Sequence, residues 1–221
     1  LNISKGVSGD DLESIKTDML EQIYKMLTMH IGTPPTSFNW QTYDKKKNFI
    51  SFENLTPKSF FDNHVGLNLD EYVCLINCPM EDKDYRKVYT VEALGNVVEG
   101  NSVRYLNVTS EEMKAASVSS IKDDHPVWFG CDVGKHFDRK LGVMDMDLFD
   151  FNSFYQSSFS MNKADRLQYG ESQMTHAMLF TGVDLDANDK PIKWRVENSW
   201  GNKVGDKGYH IMSDQWFDEY N

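Results

Sequence analysis

The 221-residue sequence predicts an α+β protein in which helical segments come first and an antiparallel sheet comes last. Near the start, apolar residues recur at helical spacing: Leu12, Ile15, Met19, Ile23, Met26 and Leu27. Toward the end, three short apolar runs follow one another at 176–183, 193–197 and 208–212. The links between them, 184–189 and 201–207, are rich in Asp, Asn and Gly, the residues of tight turns. Strands joined by links this short pair as an antiparallel meander. With 40% hydrophobic residues the chain is able to bury a core, as one large domain or two small ones.

The elements follow in order. Ser8 and Asp10 provide a cap and an acidic first turn for the opening helix, and Gly32 with Pro34-Pro35 ends it. Residues 37–54 read as a polar connector dotted with aromatics. Thr56-Pro57-Lys58-Ser59 then starts another helix, with proline in the first turn. Strands are expected over 72–77, ended by Pro79, over 89–91 and over 102–108. Ser110-Glu111-Glu112-Met113 opens a helix that runs toward Ile121 and breaks at Asp123-Asp124-His125-Pro126. The texture changes at that point, so the chain divides into a helical and mixed part, 1–125, and a β-rich part, 126–221. Val127 to Val133 is a buried strand by composition, 138–150 is irregular, and Asn162 to Arg166 is a short helical turn. Both ends, at Leu1 and Asn221, read as cuts through a longer protein.

Charge and cysteine content narrow the function classes. A net charge of −11 argues against nucleic acid or anionic membrane as a partner, since phosphate surfaces need clustered Lys and Arg. Lys45-Lys46-Lys47, the one basic cluster, reads as a solvated loop. No apolar run approaches the roughly 18 residues that span a bilayer. Three irregularly spaced cysteines, Cys74, Cys78 and Cys131, make no disulfide framework and fit a reducing cytoplasm. Cys74 and Cys78 lack two further ligands at zinc spacing, and the trio His125, Cys131 and His136 lacks a fourth. No metal or cofactor is expected.

Chemistry concentrates on the last strands. His176 alone reads as an ordinary core histidine, and Asn198 alone says less. On consecutive strands they can face each other, so that the asparagine oxygen holds one ring nitrogen and leaves the other free for a thiol. Trp200 would shield that bond from water and strengthen it. The other histidines read as surface (His30, His64), turn (His125) or structural (His210, alternating with Tyr209 and Ile211 on its strand), and for His136, beyond the Cys131 strand, lining a cleft is the lesser reading.

His176 followed by Asn198-Ser199-Trp200-Gly201, then Gly205 and Gly208-Tyr209, resembles the His/Asn half of the papain-like cysteine peptidases. The run from Pro126-Val127-Trp128-Phe129-Gly130-Cys131 to His136-Phe137 is similar to the bleomycin hydrolase and bacterial aminopeptidase C branch. So are Asn162-Lys163-Ala164-Asp165-Arg166, Gly170-Glu171-Ser172 and Trp194-Arg195-Val196-Glu197. Upstream, Val73 to Asn77 and Lys87 to Glu92 extend the likeness over nearly the whole chain. The resemblance implies a papain-like fold, present in part, with 1–125 including an insertion specific to the branch. It implies a cytoplasmic, homohexameric thiol protease that removes N-terminal residues from peptide substrates. His176 would be base and acid, Asn198 its orienter, and Trp200 their support.

The nucleophile departs from that pattern. Its family setting is a cysteine preceded six residues earlier by Gln and followed by Trp. Here those earlier positions hold Asn68, Tyr72 and His125, and no cysteine precedes an aromatic residue. In papain the cysteine lies roughly 130–150 residues before the histidine, which falls near residues 30–45, where there is none. The resemblance therefore puts nucleophile and oxyanion glutamine before Leu1, and the chain alone is expected to be inactive. Cys131, in a buried strand beside Asp132, reads as structural or cleft-lining, because burial and a neighbouring carboxylate both suppress a thiolate. A papain-like subunit that binds peptides or assembles without catalysis is the alternative.

Overall fold

The computed structural model describes residues 6–7, 9–92, 94–95, 100–159 and 161–221. The chain forms two compact units, Leu1–Glu71 and Tyr72–Asn221. The change of texture at 125/126 therefore falls inside the second unit, where a helix gives way to a strand.

The first unit opens with α1 (Asp10–Ile31). Its N-cap is Gly9, which offers no side chain, and Asp10, Asp11 and Glu13 supply negative charge to the first turn. Ser8, the expected cap, lies outside the described residues. The stretch expected as a connector is a hairpin, β1 (Phe38–Tyr43) against β2 (Phe49–Leu55). Its half-buried positions alternate, Phe38, Trp40 and Thr42 on one strand, Ile50 and Phe52 on the other. Asp44 closes the turn by accepting from the backbone of Lys46 and Asn48, each at 2.8 Å. Thr56 and Ser59 form a reciprocal capping box on α2 (Pro57–Phe60), which continues as a π turn over Phe61–Val65. His64, read as a surface residue, is half-buried among aromatics, 4.2 Å from Phe52 and 5.3 Å from Trp40 between ring centres.

The second unit holds the buried core. A small sheet pairs β3 (Cys74–Ile76) parallel to β5 (Tyr105–Asn107), with β4 (Val88–Tyr89) antiparallel on the other side of β5. Asn107, fully buried, ties the loops to this sheet: its oxygen accepts from Cys78 N and its amide donates to Cys78 O, both at 2.9 Å. Thr109 and Glu112 make the capping box of α3 (Ser110–Lys122), which lies against the main sheet.

That sheet has six strands in the order β6 (Val127–Cys131), β9 (His176–Leu185), β10 (Pro191–Glu197), β11 (Tyr209–Ser213), β8 (Val143–Met144) and β7 (Phe137–Asp138). The meander expected from the sequence is β9-β10-β11, antiparallel throughout. The region expected as irregular contributes two short strands, and β8 lies parallel to β11. Between them and β9 come the short helices α4 (Phe151–Tyr155) and α5 (Lys163–Gln168), each capped by its preceding Asp150 or Asn162.

Helix α6 (Asp214–Tyr220) follows β11 directly, and Ser213 caps it by accepting from Trp216 N. It buries Trp216, Phe217 and Tyr220, and Phe217 stacks against Trp194 and Phe180 at 5.0 and 5.5 Å. The Trp194 indole N–H donates to Asp214 at 3.1 Å, and Lys114 of α3 pairs with the same carboxylate at 2.5 Å. One acidic side chain thus links sheet and both helices. Among the described residues no helix is long and apolar enough to cross a membrane.

Candidate active site

His176 is the first residue of β9 and Asn198 the first residue after β10. The antiparallel pairing of these strands brings the two side chains together, with His176 Nε2 at 2.9 Å from Asn198 Oδ1. Both residues are half-buried.

One unambiguous donor fixes the protons of this cluster. The backbone N–H of Ser199 points at Asn198 Oδ1 at 2.7 Å, and a backbone N–H only donates, so that atom is the oxygen. His176 Nε2, facing the same oxygen, must then carry a proton. In the neutral ring this leaves the lone pair on His176 Nδ1, a base held in one tautomer. Asn198 Nδ2, a donor only, lies 3.2 Å from Nε2 of His210, which must accept. The polar chain therefore runs His176 to Asn198 on one side and Asn198 to His210 on the other.

Aromatic rings wall this chain. Trp200 is half-buried, its ring centre 4.9 Å from that of His176 at 31°. Phe137 lies 5.9 Å from Trp200 and meets His210 edge to face at 5.4 Å. The Arg139 guanidinium sits 5.0 Å from the Trp200 ring centre, at cation–π range. Excluding water lowers the local dielectric, and the His176–Asn198 bond is stronger for it.

Glycines permit this crowding. Gly205 has φ +61°, and a Cβ there would fall 2.2 Å from Tyr209 O and 3.1 Å from His210 Nδ1. At Gly142, φ +72°, a Cβ would meet Gly205 Cα at 2.5 Å and His210 Nδ1 at 2.9 Å. A side chain at either position would displace the His210 ring.

Cys131 is the strand partner of His176, opposite it in the β6–β9 register. Its thiol is nevertheless 2% exposed, and burial, with the Asp132 carboxylate adding to it, pushes its pKa up to about 12. On the order of one such thiol in 10⁵ is ionised at pH 7, far too few for a nucleophile. Asp132 itself is buried and accepts from Ser172 Oγ at 3.0 Å. His136, for which lining a cleft is the lesser reading of the sequence, packs among Phe149, Phe151 and Tyr220 at 5.6–6.2 Å. His125 is exposed in the turn after α3, and His30 is exposed in α1, its Nδ1 2.7 Å from Met26 O. Among the described residues no group of three His, Cys, Asp or Glu is placed to hold a metal ion. A groove of about 500 Å³ along β8, β10 and β11 is lined by residues such as Asp145, Lys193 and Asp214, and includes none of the cluster.

His210, which reads from the sequence as a structural strand residue, is a further member of this cluster. Its place was recoverable from the hairpin register: Val196 pairs with His210, and residues two apart share a face, so His210 and Asn198 lie on one side.

Comparison with known proteins identifies the family to which the whole chain is similar. The family model described as "Peptidase C1-like family" matches residues 2–221. Aminopeptidase C of Streptococcus thermophilus is 46% identical over 218 residues, 99% of this chain and 49% of the relative. Bleomycin hydrolase of Homo sapiens is 44% identical over 223 residues, again 99% and 49%. The crystal structure of PepW from Lactobacillus rhamnosis HN001 superposes with a TM-score of 0.92 at 46% identity, covering 99% of this chain and 49% of that one. The chain spans about half the length of the curated relatives it matches.

Proposed function

This chain belongs to the Peptidase C1-like family, with a papain-like α+β fold, and from that premise we propose that it is the His/Asn-bearing half of a cysteine aminopeptidase. The observation that carries the reading is the His176 Nε2–Asn198 Oδ1 bond, which leaves His176 Nδ1 as the free base. In this proposal the thiol comes from a part of the enzyme outside these 221 residues: burial pushes the Cys131 thiol pKa up to about 12, Cys74 and Cys78 lie on or just after β3 in the small sheet rather than in the sheet that carries His176, and the chain matches only half of its relatives' length.

In the reaction, His176 Nδ1 takes the proton of that thiol, and the thiolate attacks the carbonyl carbon of the first peptide bond. The C–N bond breaks as His176 returns the proton to the leaving amine, giving an acyl thioester. His176 then deprotonates water, whose oxygen attacks the thioester carbonyl; the C–S bond breaks, the acyl group leaves as a carboxylic acid, and His176 returns its proton to the sulfur. Asn198 holds the ring in the productive tautomer as it cycles between imidazole and imidazolium, and Trp200 keeps water from their bond. Peptides are the substrates, consistent with relatives named aminopeptidase C and bleomycin hydrolase. A homohexamer in the cytoplasm completes the proposal. The three unpaired cysteines are compatible with a reducing compartment, and light scattering of the intact protein tests the assembly.

The alternative, a peptide-binding or assembly subunit without catalysis, has no use for an imidazole fixed in one tautomer. Turnover of fluorogenic aminoacyl substrates by the intact enzyme separates the two readings. His176→Ala should lower kcat by at least about 10³-fold and Asn198→Ala by roughly 10–10²-fold. Unchanged turnover in His176→Ala would contradict the proposal.

A further inference from the structure

His210 is 1% exposed, yet its ring is bound on one side only. Nε2 faces the Asn198 amide at 3.2 Å, while Nδ1 is buried with no hydrogen-bond partner in the described structure. Apolar packing alone does not need an imidazole there; a phenyl ring would fill the space between Phe137, Trp200 and the two glycines without burying an unmatched N–H. The polar ring is matched instead to its one hydrogen-bond partner among the described residues, the Asn198 amide. That amide has two orientations differing by a flip of oxygen and nitrogen. Only one puts Oδ1 against His176 Nε2 and Ser199 N–H. A lone pair on His210 Nε2 favours this orientation, because the flipped amide would set oxygen against lone pair.

We propose that His210 is a positioning residue of the peptidase reaction, locking the Asn198 amide so that its oxygen faces His176. The role rests on the reading of His176 and Asn198 as a catalytic pair and adds a third member behind them. It requires a defined proton arrangement: His210 carries its hydrogen on Nδ1 and accepts at Nε2, and His176 carries its hydrogen on Nε2. Phe137, Trp200, Gly142 and Gly205 border the ring, and none of them is charged. The Asn198 amide alone therefore dictates that tautomer.

Two substitutions in the intact peptidase separate positioning from packing. His210→Phe keeps a ring of similar size without an acceptor, and His210→Gln keeps an acceptor without the ring. Expected is a roughly tenfold fall in kcat for His210→Phe, with KM within about twofold, and substantial recovery in His210→Gln. Equal kcat in wild type and His210→Phe would overturn the role. So would equal losses in both variants that merely follow their melting temperatures. His176→Ala run beside them identifies the other failure: if it turns over normally, the catalytic reading itself falls. Long-range ¹H–¹⁵N spectra of the wild-type histidines need no variant. Protonated Nε2 on His176 and unprotonated Nε2 on His210 support the lock, and a proton on His210 Nε2 overturns it.

Discussion

The two units of the chain hold themselves together differently. In Tyr72–Asn221 the side chains of Trp194, Val196, Met212 and Trp216 are entirely removed from solvent, packed between the main sheet and its helices. In Leu1–Glu71 no described residue is fully buried, and the apolar face of α1 stays open, with Met29 71% and Ile31 80% exposed. What orders the first unit is local: a hairpin turn, a capping box and an aromatic cluster around Trp40. The second unit is held by contacts far apart in sequence, and the candidate site is built on those. A geometry of a few tenths of an ångström, like that of His176 and Asn198, needs strands whose positions are fixed by a packed core.

Removing one tryptophan from each unit should separate the two most widely. Trp194→Ala should cost about 3–5 kcal/mol in urea unfolding, from the lost volume and the orphaned Asp214 contact. Trp40→Ala, taken from a half-buried cluster, should cost no more than about 1–2 kcal/mol. Similar losses would mean the first unit has a core of its own.

Ion pairs sharpen the contrast on a smaller scale. Lys114 is 12% exposed between Asp214 and Asp218, whereas Lys58 is 84% exposed beside Asp62 on one helical turn. Lys114→Ala should lower stability by roughly 1–2 kcal/mol, because it strands a carboxylate that also serves Trp194. Lys58→Ala should change it by less than about 0.5 kcal/mol. Thermal melts at low and high salt check both, with salt mattering mainly for Lys58.

The smallest effect is a slope with pH. Burial holds the His210 pKa below its ordinary value, so the unfolded chain binds that proton more readily than the folded one. His210 therefore costs no stability above about pH 6.5, and stability is lost as pH falls from there toward the folded pKa. His210→Phe should lose less melting temperature than wild type between pH 7.5 and pH 5. An identical slope would mean that His210 titrates no differently when folded.

Much of the second unit was legible beforehand. The β9-β10-β11 meander showed as apolar runs between Asp/Asn/Gly turns, and Thr109 with Glu112 gave the α3 start because a capping box is local. The hairpin β1–β2 is not legible in the sequence. Its alternation is carried by Phe38, Trp40 and Phe52, interrupted by three lysines at the turn, and pairing across that turn leaves no mark within either strand alone. Strands β7 and β8 are two residues each, too short for any period to appear. In the site, His176, Asn198 and Trp200 were found together because their order along the chain resembles a known pattern. His210 carried no such pattern: its meaning depends on which atoms of Asn198 it meets, and that follows only from the register of two strands.

In the function proposed above, this chain brings the oriented imidazole of His176 while the thiol beside it on the sheet, Cys131, stays protonated. The most direct test is to offer the 221-residue chain fluorogenic aminoacyl substrates and an epoxide thiol trap, and then to map adducts by mass spectrometry. No turnover and no adduct on Cys131 are expected. Inhibitor-sensitive turnover with the epoxide on Cys131 would contradict the proposal, and would make the strand partner of His176 the nucleophile.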